Sequence, residues 1–272
     1  MSGPRDWAPG EPRRPGVIRR VLPIALAFAV IAGGTVYLRG DLRSLIGTAP
    51  GSPRSAAATH RLYAATRPVG GRCAGLPRDL DARAGVTLRA LARCLDRMWA
   101  ASLAEAGVEY TPPSELRLVR VPADAACGKE DHDWAGIYCP RDRVVNVLVQ
   151  GGDGRTAPMM FTLAHEYAHH VQEVSGIADR RGSETFDEAW SRRLELQADC
   201  LAAAALRVVG PRLLRDQRRL AAADAGDADG PAASYRQSHG SGASSAAWIA
   251  RGQRTGTVGA CNTWGVPAKQ VS

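Results

Sequence analysis

The residues with the clearest chemical potential form the segment His165-Glu166-Tyr167-Ala168-His169. In a helix, His165 and His169 lie one turn apart on the same face, so both imidazoles can reach one Zn²⁺ at about 2.0–2.1 Å. Glu166 is rotated by about 100° along the same turn and can take a proton from the metal-activated water. The H-E-x-x-H pattern therefore predicts a hydrolytic zinc site in which Glu166 is the general base.

A catalytic zinc site needs a third protein ligand and an open coordination position. A later segment supplies Glu195 and Asp199, which are four residues apart and share one face of a predicted helix. We predict that Glu195 is the third ligand and that Asp199 accepts a hydrogen bond from the non-coordinating nitrogen of His165. Glu188 is the alternative ligand, although its spacing from Thr185 already identifies a capping box.

Other histidines are candidates for supporting roles. His170 points about 100° away from His169, which favours packing or support of a ligand over coordination. His239 or Tyr235 could donate a hydrogen bond to the oxyanion that forms during hydrolysis. For His239 the alternative is an ordinary loop residue at a turn. Two further histidines receive no role: His60 and His132.

The metal site needs a fold that brings two helices together. Apolar periodicity and terminal signals predict helices at Leu88–Trp99, Thr156–Gly176, Thr185–Val208 and Ala246–Arg254. Strand patterns are predicted at Glu115–Val121 and Gly136–Val149, the second broken by a turn at Cys139-Pro140. The expected fold is α+β. In this fold a small sheet lies beside the motif helix, and the Glu195 helix crosses beneath the metal. A C-terminal helical segment is joined to the rest by a disulfide.

The N-terminal region contains the nearly unbroken apolar run Val21–Leu38, which is close to the length that crosses the hydrocarbon core. More arginines precede this run than follow it, which favours a cytoplasmic N-terminus. We predict a disordered cytoplasmic segment at 1–20, a transmembrane anchor at 21–38, a flexible linker at 39–72 and a folded extracytoplasmic domain at 73–272. A cleaved signal peptide is the alternative, but no convincing A-x-A site follows the run.

The chain has six cysteines, all beyond the apolar run, and this even number agrees with disulfides in an oxidising compartment. Reduced, buried thiols are the alternative. Six cysteines allow 15 pairings. We predict two pairs that close local loops and one that ties the C-terminal segment to the ligand helix: Cys73–Cys94, Cys127–Cys139 and Cys200–Cys261.

The net charge of +8 raises the question of a nucleic-acid partner. The sequence has no basic stripe interleaved with aromatic residues and no nucleic-acid fold signature. We therefore expect no nucleic-acid partner.

Several blocks occur in a characteristic order across about residues 73–264: Ile137–Asp142 (IYCPRD), Ala164–Gln172 (AHEYAHHVQ), Leu194–Cys200 (LELQADC), His239–Ser241 (HGS), Trp248–Gly256 (W-x-x-x-G-x-x-x-G) and Cys261–Trp264 (CNTW). In these blocks the chain resembles the bacterial putative neutral zinc metallopeptidase family, which comprises membrane-anchored proteins of zincin type. It departs from the family at Ala168, where Gly is frequent, and at Ile249 and Trp264, where Phe is frequent. The stretch Ser241–Ser245 also lacks an Arg often found before the tryptophan.

The resemblance implies a zincin-like fold, one Zn²⁺ held by His165, His169 and Glu195, and Glu166 as the catalytic residue. The expected function is zinc-dependent hydrolysis of peptide bonds in an extracytoplasmic protein or peptide. The expected partners are that substrate and the lipid bilayer, and the sequence gives no oligomeric state. Two alternatives stay open: a non-catalytic membrane-anchored protein with structural zinc, and a zinc amidase acting on cell-wall peptides.

Overall fold

A computed structural model describes residues 53–71, 73–81, 83–129, 134–149, 156–179, 188–223 and 237–272. These residues form a mixed α+β fold. Its helices are α1 (Pro53–Ala58), α2 (Ala84–Glu105), α3 (Thr156–Ser175), α4 (Glu188–Leu206), α5 (Pro211–Ala223) and α6 (Gly242–Thr255). Its strands are β1 (Glu115–Val119), β2 (Gly136–Cys139) and β3 (Val144–Leu148). Short 3₁₀ turns lie at Arg61–Ala64, Pro122–Asp124, Gly259–Cys261 and Ala268–Gln270.

The three strands form one small sheet in the order β1-β3-β2. The central strand β3 runs parallel to β1 and antiparallel to β2, with Val144 opposite both Glu115 and Cys139. Its valines are buried, and both β3 and β2 contact α3. The sheet therefore supports the motif helix, as the predicted α+β architecture requires.

The core is organised around α3, which contacts α2, the sheet and α4, while α4 in turn contacts α6. The run Ala202–Ala205 is fully buried. Because these side chains are small, a neighbouring helix can approach the backbone of α4 closely. At Gly252 of α6, an added Cβ would lie only 2.1 Å from the carbonyl oxygen of Cys200. A glycine is therefore needed where α6 meets α4, because any larger residue would separate the two helices.

Most helix ends lie close to their predicted positions. Gly107 and Gly176 follow α2 and α3 with φ of 65° and 75°, a left-handed conformation that glycine adopts without strain. Helix α6 begins before the predicted Ala246 because Ser241 caps it, accepting a hydrogen bond from the Ser244 backbone N–H. The Gly210-Pro211 signal that ends α4 also starts the unpredicted helix α5, since proline suits a first helical turn.

The N-terminal part of the described chain packs onto the domain. Ala57, Leu62, Ala65 and Val69 are all at most 1% exposed and belong to the main core. The compact unit runs from Gly51 to Ser272 and so begins before the predicted boundary at Cys73, because these small and aliphatic side chains are buried.

The predicted segment at 1–20, the anchor at 21–38 and the first part of the linker lie outside the described residues. Within the described ranges, no helix combines the length and apolar character needed to cross a membrane.

Three disulfides join the cysteines in the predicted pairs: Cys73–Cys94, Cys127–Cys139 and Cys200–Cys261. Their Cα–Cα distances of 5.4, 5.9 and 5.5 Å are ordinary for disulfides. The third bond connects α4 to the segment after α6, so it holds the C-terminal region against the helix that carries Glu195.

Candidate metal centre

Helices α3 and α4 bring two imidazoles and one carboxylate to a single point. The Nε2 atoms of His165 and His169 lie 3.1 Å apart. Oε2 of Glu195 lies 3.1 Å from the first and 3.2 Å from the second. Among the described residues these three side chains form a group whose ligand atoms could hold one metal ion.

The hydrogen bonds on the far side of each ring determine which nitrogen carries its proton. Nδ1 of His165 lies 3.0 Å from Oδ1 of Asp199, and Nδ1 of His169 lies 2.9 Å from Oε1 of Gln172. The Gln172 amide cannot be flipped, because its Nε2 donates to the carbonyl oxygen of Leu194 at 2.8 Å. Both Nδ1 atoms therefore carry protons, and in the neutral rings both Nε2 atoms present lone pairs.

The centre thus gathers three lone-pair acceptors, two imidazole nitrogens and one carboxylate oxygen, with edges of 3.1–3.2 Å. When both rings are neutral, no proton lies between these atoms, and a cation bound among them would relieve their mutual repulsion. Tetrahedral Zn²⁺ with bonds of about 2.0–2.1 Å separates its ligand atoms by about 3.4 Å. The chemistry and the size of the donor set both fit Zn²⁺.

The acidic and imidazole groups of the centre shift one another's pKa values. Burial opposes protonation of His165, but its hydrogen bonds with Asp199 and Glu195 raise its pKa well above the usual value. Burial would raise the pKa of Glu195, yet the charge of His169 and the bonds to both rings hold it well below the usual value. Without a metal these groups favour a protonated imidazole beside a carboxylate, so zinc binding releases protons.

Two residues that the sequence reasoning missed support the ligands. Gln172 orients His169 and also donates to Oε1 of Gln197 at 3.0 Å. Ser245, on α6, donates to Oδ2 of Asp199 at 2.6 Å. Gln172 follows His169 by three residues on the same helix, a spacing that could have revealed it. No comparable local signal points to Ser245.

Glu166 lies beside the three ligands but outside their group. It is 6% exposed, and this burial raises its pKa, although a hydrogen bond from the Tyr138 backbone N–H opposes the shift. Strand β2 approaches it closely: a Cβ added to Gly136 would lie 2.9 Å from Oε1 of Glu166 and 2.5 Å from Cγ2 of Thr162. Glycine at position 136 therefore leaves the space that the carboxylate occupies.

His170 points away from the ligands and ties α3 to the sheet region. Its Nε2 donates to the carbonyl oxygen of Thr111 at 2.7 Å, so its Nδ1 accepts from the hydroxyl of Tyr138 at 3.0 Å. Burial lowers the pKa of His170, in keeping with a neutral ring. The same Tyr138 contacts Glu166 through its backbone, so His170 indirectly positions the carboxylate.

The structure also brings His239 to the edge of the centre. Its Nε2 lies 3.6 Å from Oε2 of Glu195, and its Nδ1 lies 2.8 Å from Oγ of Ser238. Arg192 holds the segment before His239 by donating to the carbonyl oxygen of Gln237. His239 is nevertheless not a member of the compact group formed by the three ligands.

The remaining candidates lie elsewhere. The side chain of Glu188 is 60% exposed and pairs with Arg192 at 3.9 Å, so the structure does not bring it to the centre. His60 is buried and caps a 3₁₀ turn by accepting from the Leu62 backbone N–H. Three other residues lie outside the described part of the chain: His132, Thr185 and Tyr235.

Comparison with known proteins agrees with this geometry. The family model described as "Putative neutral zinc metallopeptidase" matches residues 24–264. The uncharacterized protein Rv2575 of Mycobacterium tuberculosis is 35% identical over 103 residues, covering 34% of this chain and 35% of that protein. The uncharacterized protein YpfJ of Escherichia coli is 28% identical over 198 residues, covering 61% of this chain and 67% of that protein. The match therefore spans about a third of the mycobacterial relative. No solved structure matches the chain.

Proposed function

The chain belongs to the putative neutral zinc metallopeptidase family, and we propose that it hydrolyses peptide bonds in an extracytoplasmic protein or peptide. His165, His169 and Glu195 hold one Zn²⁺ in a zincin-like arrangement. One observation carries the proposal: three lone-pair acceptors converge at 3.1–3.2 Å, with the buried carboxylate of Glu166 beside them.

In the proposed mechanism each nearby side chain has one task. Bound Zn²⁺ supplies Lewis-acid chemistry that polarises the substrate carbonyl and lowers the pKa of water to about 7. Glu166 accepts a proton from the attacking water as the new C–O bond forms. It then passes that proton to the leaving amine as the C–N bond breaks. His239 donates a hydrogen bond to the oxyanion of the tetrahedral species.

The neighbouring residues hold these groups in position. Asp199 and Gln172 keep Nδ1 of each ligand histidine protonated, so that Nε2 of each ring faces the metal. Gly136 leaves space for the Glu166 carboxylate and the Tyr138 backbone N–H donates a hydrogen bond to it. These contacts would orient the carboxylate to accept a proton from the attacking water. Arg192 holds the segment that carries His239.

A purely structural zinc site is the main competing function. Structural zinc sites are closed by four protein ligands. In the described residues the compact group offers three, and His239 is outside it. A zinc ion held by these three residues would have a coordination position open to substrate, which supports the enzymatic proposal over a structural zinc site.

We place the catalytic domain outside the cytoplasm, anchored to the membrane through 21–38 with a cytoplasmic N-terminus. Three disulfides support this placement, because such bonds persist in oxidising compartments. The anchor itself is proposed from the apolar run Val21–Leu38 and its flanking arginines.

The experiment that tests the proposal is Glu166→Gln in the full chain, which keeps the size of the side chain and removes the base. Zinc content should stay at one ion per chain, while cleavage of casein or a mixed peptide library should fall by about 10²–10⁴. Glu173→Gln, on the same helix, is the matched control and should retain activity.

Three outcomes would argue against the proposal in different ways. Wild-type turnover by Glu166→Gln would refute the mechanism. A wild-type chain that binds zinc but cleaves neither proteins nor cell-wall peptides would indicate structural zinc. Cleavage confined to cell-wall peptides would identify the amidase alternative.

A further inference from the structure

A cleft separate from the metal centre lies between one face of α2 and the extended segment Arg67–Gly71. Its volume is about 460 Å³, and none of the metal-centre residues lines it. Cavities of about 300–1,000 Å³ are typical of sites for small ligands. The cleft is therefore large enough for a ligand of its own.

The wall of this cleft is fixed by the rest of the fold. The backbone N–H of Val69 donates to the carbonyl oxygen of Gly256 at 2.6 Å, and Pro68 forms a β-bridge with Thr257. The Cys73–Cys94 disulfide anchors α2 next to the same segment. A fixed wall means that the cleft is largely pre-formed, so binding requires little ordering of the chain.

The lining of the cleft combines apolar side chains with polar backbone and side-chain atoms. Val69 and Met98 are 1% and 8% exposed, and Cys94 lies beside them. Ser102 is 7% exposed, and its Oγ has no hydrogen-bond partner in the described residues. This oxygen is shielded from the cleft, so Ser102 offers no contact to a ligand.

The rim carries three charged groups, of which the acid is already satisfied. Glu105 accepts hydrogen bonds from the backbone N–H groups of Thr66 and Arg67 and from Oγ1 of Thr66, at 3.0–3.4 Å, and forms an ion pair with Nε of Arg67 at 3.4 Å. The Thr66 backbone N–H and these other donors hold the pKa of the Glu105 carboxyl below its usual value. Its oxygens are therefore occupied by the protein itself.

The two guanidinium groups remain available to a ligand. The Arg67 side chain is 82% exposed and pairs with Glu105 only through Nε. Arg97 is exposed and makes no hydrogen bond or ion pair within the described ranges, although its charge influences Asp96. Guanidinium groups bind carboxylates with two parallel hydrogen bonds, so the rim favours an anionic head group.

We propose that this cleft is a binding site for an apolar molecule that carries one carboxylate. The carboxylate contacts Arg97 and Arg67, and the apolar body lies against Met98 and Ala101. The C-terminal end of a short peptide and a free aliphatic acid share this chemistry.

The test is calorimetric titration of the purified full chain with three probes. Acetyl-Ala-Leu carries a free carboxylate, its C-terminal amide lacks that charge, and hexanoate has the carboxylate without peptide groups. Loss of a hydrogen bond to a charged group weakens binding by about 10- to 100-fold, so the amide should bind at least about tenfold more weakly than the acid. Tighter binding of acetyl-Ala-Leu identifies a peptide end, and tighter binding of hexanoate identifies an aliphatic acid.

Variants on α2 separate this cleft from the metal centre. Arg97→Gln should weaken binding of the preferred acid at least about tenfold. Arg93 is also exposed but lies outside the cleft, so Arg93→Gln should leave binding of the acid unchanged. Ala101→Trp should block the cleft, whereas Ala104→Trp on the same helix should leave binding intact.

Equal binding of acid and amide, or unchanged binding by Ala101→Trp, would overturn the proposal.

Discussion

Ser245 donates a hydrogen bond to Asp199 across 46 residues of sequence, with Oγ and Oδ2 2.6 Å apart. The other oxygen of Asp199 accepts from Nδ1 of His165, so a serine on α6 reaches the metal centre through one intermediate side chain. Helix α6 lies this close to α4 because Gly252 has no Cβ to meet the Cys200 carbonyl. The C-terminal helix is therefore part of the support of the zinc ligands.

Removal of this support should weaken metal binding without unfolding the chain. Ser245→Ala should lower zinc affinity by about 10- to 100-fold, the usual effect of losing a partner behind a metal ligand. Competition with a chelator measures the change. Ser244→Ala is the control, because Ser244 bonds to the Ser272 carbonyl and not to Asp199. Equal zinc affinity in both variants would show that the hydrogen bond from Ser245 to Asp199 does not affect metal binding.

The identity of the third ligand is tested by two acidic residues on α4. Glu195→Ala removes one of three converging acceptors and should abolish stoichiometric zinc binding, measured by metal analysis after dialysis. Glu188→Ala should retain zinc, because its side chain is 60% exposed and pairs only weakly with Arg192. The reverse pattern would transfer the ligand role to Glu188.

Gly136 should control the rate through the position of the general base. The Cβ of Gly136→Ala would lie 2.5 Å from Cγ2 of Thr162 and 2.9 Å from Oε1 of Glu166, so the chain must shift around the carboxylate. We expect kcat to fall by at least about tenfold, since misplacing a catalytic group by 1 Å can cost about 10²-fold. Zinc content should not change.

Gly85→Ala is the matched control, because its Cβ would meet only Leu118 at an ordinary 3.6 Å. A normal kcat for Gly136→Ala would mean that Glu166 tolerates the displacement. Loss of zinc would instead indicate that β2 supports the ligands themselves.

His239 should act on the oxyanion rather than on the metal. His239→Ala should lower kcat by about 10²–10³ and leave zinc stoichiometry at one. Loss of zinc would make His239 a fourth ligand and favour the structural zinc site, since it lies only 3.6 Å from Glu195. An unchanged kcat with unchanged zinc stoichiometry would mean that His239 is an ordinary loop residue.

Much of the local structure could be predicted from the sequence, because periodicity and terminal signals act over a few residues. The spacing of His165 and His169 predicts two imidazoles on one helical face, and the structure has that arrangement on α3. The same reasoning applies to Glu195 and Asp199 on α4. The family was also recognisable from the order of its blocks, and the family model spans residues 24–264.

Pairing across long sequence distances could not be predicted in the same way. The parallel alignment of β1 with β3 and the early start of the fold at Gly51 depend on which surfaces pack together. No local pattern encodes such contacts, because their stability comes from burial that exists only in the assembled core.

The metal centre shows both kinds of information in one place. The sequence by itself determined the donors, since an i,i+4 spacing on a helix is a local geometric property. Only the tertiary structure decided how those donors are held, through Ser245 behind Asp199 and Gly136 beside Glu166. The physical reason is steric: both contacts depend on backbones that approach closely at glycines, and a sequence does not reveal which backbone lies opposite a glycine.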